Sequence, residues 1–138
     1  MTRLRIGRDR TTLGDCALAL GWQTIALAHF KHEPPSPLEL ENAITAVEDE
    51  LARVRPPGGG ELQTSDAFIR DIAAVAGIAP APEMAMTVDA VEQVFERLAM
   101  RRPGLPSGRA FAATLLILRE VMHHLQFRSI VVETARQA

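Results

Sequence analysis

The sequence predicts an α/β domain with a small mixed sheet and about four helices, and three observations carry that reading. The N-terminus alternates apolar residues with arginines, as a half-buried strand does. Capping signals for four helices follow in order, and a compact β-branched run, Ser129-Ile-Val-Val132, closes the pattern as a strand. Strands, then helices, then a strand exclude a simple helical bundle.

The elements are expected in this order. Arg3-Leu-Arg-Ile6 forms the first strand. The turn-prone residues 7–15 lead to a mostly apolar segment, 15–28, carrying Leu18, Leu20, Trp22, Ile25 and Leu27. It reads as the return strand of a hairpin, although its alanines suit a helix equally well. Ser36, Pro37 and Glu39 make an N-cap, a first helical position and a capping box. Leu40, Ala43, Ile44, Val47, Leu51 and Val54 line one face of that helix. Pro56-Pro-Gly-Gly-Gly60 stops it. Leu62 opens a short element, Thr64 or Ser65 caps a second helix through Ala76, and Gly77 ends it. Residues 78–86 read as a loop. Thr87 caps a third helix with Val91, Phe95 and Leu98 inward, and Ser107 caps a fourth with Phe111, Leu115, Leu118 and Met122 inward.

Composition narrows the class. A chain of 138 residues fits one domain, expected to span 1–138. Its net charge of −2 gives no general pull toward nucleic acid or an anionic membrane, and 4% aromatic residues leave few platforms for stacking bases. No apolar run approaches the ~20 residues that cross a bilayer. The N-terminus is charged throughout and has no signal-peptide core, and the one cysteine, Cys16, fits a reducing compartment. The cytoplasm is therefore the expected location.

Several stretches resemble the exopolyphosphatase/guanosine-pentaphosphatase family. Ala19-Leu-Gly-Trp and His29-Phe-Lys-His-Glu-Pro-Pro-Ser-Pro-Leu-Glu-Leu40 are similar to that family's leucine-glycine, diproline and capped helix. Leu105-Pro-Ser-Gly-Arg-Ala110, with the helix and strand after it, resembles a later stretch. The resemblance implies a truncated ribonuclease-H-like half of the actin-like ATPase superfamily, matching the C-terminal part of such proteins. It also implies absences. The half carrying the catalytic acid is missing, and the chain is expected to start just after the second half's opening strand and aspartate-glycine-glycine-glycine-serine-threonine-like loop. The second glycine-rich loop falls near residues 62–67, where Thr64 survives, the glycines are gone and Asp66 is present. Phosphate is held by successive backbone N–H groups that glycine brings close, so this substitution argues against phosphohydrolase chemistry. A missing central strand would leave an uncovered edge, from which a homodimer is expected.

The candidate site residues are cations. Arg97, Arg101, Arg102 and Arg109 surround the break at 103–106, and with Thr64 they form the candidate anion site for a phosphate-containing ligand. Arg109 lies in a helix's first turn, where the dipole disfavours a cation, so it most needs a partner, either a salt bridge or a bound anion. Arg3, Arg5, Arg8 and Arg10 read either as an anion-binding face or as charge guarding an edge strand, and the lack of accompanying aromatics favours the guard. His29, His32 and Glu33 lack metal-site spacing. His123 and His124 are adjacent on a helix, one expected against the core and one in water. No catalytic residue, metal or cofactor is expected, nor a membrane or specific nucleic-acid partner. The functional expectation is a non-catalytic binding or assembly module. Its alternatives are a phosphate- or nucleotide-binding regulator and a hydrolase subunit completed by a partner chain.

Overall fold

A computed structural model describes residues 1–134; residues 135–138, the end of the expected single domain, lie outside the described residues. The strands are β1 (Thr2–Ile6), β2 (Thr11–Leu13), β3 (Cys16–Leu18), β4 (Gly60–Thr64), β5 (Glu83–Thr87) and β6 (Phe127–Glu133). The helices are α1 (Trp22–His29), α2 (Pro37–Val54), α3 (Ala67–Val75), α4 (Val88–Ala99) and α5 (Arg109–His124). The strand order is β3-β2-β1-β4-β6-β5. β1, β4 and β6 run parallel, and the outer strands pair antiparallel, which makes the sheet mixed as expected.

Burial alternates along the strands, and the registers put the buried residues on one side. Leu4 faces Leu13, Leu62 faces Ile130, and Ile130 faces Met86. The opposite side carries Arg5 beside Thr12, Gln63 beside Val131, and Glu83 beside Glu133, all exposed or half-buried. The helices therefore cover one face, giving two layers. α5 lies at the middle of the helical layer, contacting α1, α2, α3 and α4, and is apolar nearly all round from Phe111 to Leu118. A helix apolar on every side belongs in the interior. One hydrophobic cluster joins the buried residues of both layers.

Several expectations are corrected. The opening strand is present: β1 is central, paired with β2 on one side and β4 on the other. It reads like an edge strand because its arginines point from the open face, where apolar side chains are not needed. The uncovered central edge disappears, and with it that ground for a dimer. The 15–28 segment is only a three-residue strand followed by helix α1, because its alanines serve a helix and the helical turn carries both Ile25 and Ala26 inward. The fold thus has five helices rather than four. Part of the 78–86 loop pairs with β6 as edge strand β5. Asp66, not Thr64 or Ser65, occupies the N-cap of α3, and Gly108, not Ser107, that of α5. The capping box of α2 and the Thr87 cap of α4 stand as read.

Candidate functional site

In open α/β sheets, ligands bind beyond the carboxyl ends of the parallel strands. Here those ends are Ile6, Thr64 and Glu133. Beyond β1 the chain turns at 7–10, where the Gly7 N–H donates to the Arg10 carbonyl at 2.9 Å. The turn's own carbonyls face the start of α1. The N–H groups of Trp22 and Gln23 donate to Gly7 O and Arg8 O at 2.9 and 2.8 Å, and Thr24 N–H to Arg8 O at 3.3 Å. Gly21 permits this approach, because a Cβ there would collide with both carbonyls. The positive end of α1 is thereby filled by the chain itself.

The start of α3 is occupied differently. Asp66 Oδ2 accepts the Ile6 N–H at 2.7 Å, and the Asp66 N–H donates to Thr64 Oγ1 at 3.2 Å. Burial pushes the Asp66 carboxyl up, against the Ile6 hydrogen bond and the Arg5 and Arg3 charges that lower it. A carboxylate at this spot repels a phosphoryl group. Arg3 pairs with Glu133 at 3.1 Å, and Arg8 Nε donates to Gln23 Oε1 at 2.7 Å.

A second region lies at the start of α5. A cavity of about 360 Å³ is bounded by Pro34 and Pro35, by Arg101 and Arg102, and by the 103–108 loop. Gly108, at φ 118°, precedes α5 with no side-chain cap, and among the described residues no acceptor meets the N–H groups of Arg109, Ala110 and Phe111. Arg101 ends α4 in the left-handed region at φ 55°. Its N–H donates to Leu98 O and that of Arg102 to Arg97 O, closing the helix in a Schellman arrangement where glycine is usual.

The five predicted site residues thus separate. Arg101 and Arg102 come together at the cavity. Arg97 donates to the Val75 carbonyl at 3.3 Å, and Arg109 finds a partner in the Lys31 carbonyl at 3.2 Å. Thr64 is 0% exposed and its hydroxyl is engaged by Asp66. His123 and His124 are both exposed, against the expectation that one meets the core. Sequence reasoning missed a third cluster, Glu48 of α2 with Glu120 and His124 of α5, which joins two helices far apart in the chain. Burial pushes the Glu120 carboxyl up, while the His124 hydrogen bond holds Glu48 down. The i,i+4 spacing of Glu120 and His124 was the one visible signal.

No family model matches the sequence, and no curated protein matches it. Solved structures do share its fold. An Aquifex aeolicus PPX-GPPA enzyme superposes with a TM-score of 0.76 at 16% identity, over 96% of this chain and 52% of its own. An exopolyphosphatase-like protein gives 0.75 at 12% identity, over 96% of this chain and 55% of its own. A Cytophaga hutchinsonii exopolyphosphatase gives 0.60 at 14% identity, over 96% and 52%. The chain spans about half the length of these proteins and has the fold of that half. No helix among the described residues is long and apolar enough to cross a membrane.

Proposed function

We propose that this chain is a non-catalytic, exopolyphosphatase-like module for binding or assembly. One observation carries the reading: the N–H groups that open α1, beside the carboxyl end of β1, are already bonded to carbonyls of the 7–10 turn. A phosphoryl group needs several free N–H donors converging on one point. At this turn the helix donors are taken by Gly7 O and Arg8 O, and the neighbouring helix start carries Asp66. Purified chain incubated with polyphosphate, ATP or guanosine tetraphosphate should release no phosphate above buffer. Release that disappears in Asp66→Asn would overturn the reading.

Assembly is assigned to the open sheet face. That face mixes Arg3 and Arg5 with Glu61, Glu83 and Glu133, so a second copy offers complementary charge. A twofold dimer formed this way weakens with salt. Sedimentation at low and high ionic strength tests it, and a salt-independent monomer contradicts it.

A second reading is favoured by the α5 cavity, as a site for a phosphate-containing ligand. The open N–H groups of α5 and the two arginines beside them are complementary to an anion. Arg101, which closes α4 in the left-handed region, lines this cavity together with Arg102. Glu33, also on the cavity wall, opposes binding by Coulomb repulsion and makes the affinity sensitive to salt. Thermal shift with inorganic triphosphate, in wild type and Arg102→Ala, tests this reading.

A further inference from the structure

The Glu48, Glu120 and His124 side chains meet where α2 packs on α5, away from both regions described above. Glu120 is 1% exposed, unusual for a carboxylate. Its Oε2 accepts from Arg119 Nη1 at 2.7 Å. Its Oε1 faces His124 Nε2 at 3.4 Å. That nitrogen stands closer to Glu48 Oε2, at 2.7 Å. A ring nitrogen carries at most one hydrogen, so it cannot satisfy both carboxylates. Arg119 is committed elsewhere as well, with Nε and Nη2 on the Glu92 carboxylate at 2.8 and 3.0 Å. Oε1 of Glu120 therefore faces into the cluster beside a nitrogen that Glu48 engages more closely, so three donor atoms converge on one point where a single cation could serve them all.

We propose that Glu48, Glu120 and His124 form a binding site for a divalent transition metal of the zinc class. Two carboxylate oxygens and one imidazole nitrogen are a donor set that zinc accepts in sites keeping a fourth position for water. The three donor atoms lie within 4.8 Å of one another. Bonds of about 2.0–2.2 Å in a tetrahedron set donors roughly 3.3 Å apart. The 3.4 Å separation of Glu120 and His124 already fits, and the 2.7 Å hydrogen bond of Glu48 needs only to open as the metal replaces its proton. Arg119 then serves as the partner that orients Glu120 from behind. An open groove lined by Gly58, Gly59, His124 and Gln126 gives solvent a route to the site.

The full chain, stripped with a chelator, is titrated calorimetrically with Zn²⁺ and separately with Co²⁺, followed by visible absorption. One equivalent should bind, with Co²⁺ giving the intense bands of tetrahedral coordination. Glu48→Gln and His124→Gln, at positions whose side chains are 40% exposed, should fold normally and each weaken binding at least ~10-fold. His123→Gln should bind as wild type does. Absence of binding, or equal affinity in the Glu48 and His124 variants, overturns the proposal.

Discussion

Helices α1 and α5 both begin where a loop meets the helical layer, yet their first turns have opposite fates. The N–H groups of α1 are bonded to carbonyls of the 7–10 turn, while those of Arg109, Ala110 and Phe111 meet no acceptor among the described residues, and the loop before them lines a cavity with two arginines. The same positive end of a helix can bind an anion or simply close the chain on itself. What decides is who reaches the donors first. Gly21 lets the turn do so at α1; Gly108 and the 103–108 loop leave the place open at α5.

Four substitutions would break or sharpen that contrast. The largest effect is expected from Gly21→Ala, whose methyl collides with Gly7 O and Arg8 O; denaturant unfolding should reveal a loss of about 3 kcal/mol. Next, Arg101→Gly relieves a left-handed side-chain-bearing residue and should gain about 1 kcal/mol. The same variant should bind triphosphate more weakly, so stability and affinity move in opposite directions.

Smaller effects depend on pH. The Asp66 carboxyl is pushed up in the folded chain, so its contribution is fully present below the ordinary value of 3.8 and lost as pH rises through the folded value. Asp66→Asn should therefore raise the melting temperature at pH 7, with the gain shrinking toward about pH 3. Glu39 behaves in the opposite sense. Hydrogen bonds led by the Ser36 N–H, with Lys31 and His32 contributing, pull it from 4.5 to about 2, against desolvation. Its stabilisation is present above pH 4.5 and lost as pH falls through about 2. Glu39→Gln should lower the melting temperature at pH 7, and the difference should narrow in acid.

Much of this was legible in the sequence because caps are local. The capping bonds of Ser36, Glu39 and Thr87 reach only three residues along the chain, so the starts of α2 and α4 could be read directly. The role of Gly21 could not, since its constraint comes from the carbonyls of Gly7 and Arg8, far earlier in the chain. β1 looked like an edge because period-2 alternation reports which faces are buried and says nothing of which strands lie alongside. The clustering of arginines around residues 97–109 is plain in the sequence. Which of them face a cavity depends on Val75 and Lys31, whose carbonyls draw Arg97 and Arg109 away. The Glu48 cluster needed the packing of α2 on α5, which no local pattern encodes.

Amide chemical shifts of isotope-labelled chain, titrated with inorganic triphosphate, test most directly whether the 7–10 turn is closed to phosphoryl groups. Saturable shifts are predicted at Arg101, Arg102, Arg109 and Ala110, with Gly7, Arg8, Trp22 and Gln23 unchanged. Saturable shifts at that second group would contradict the account.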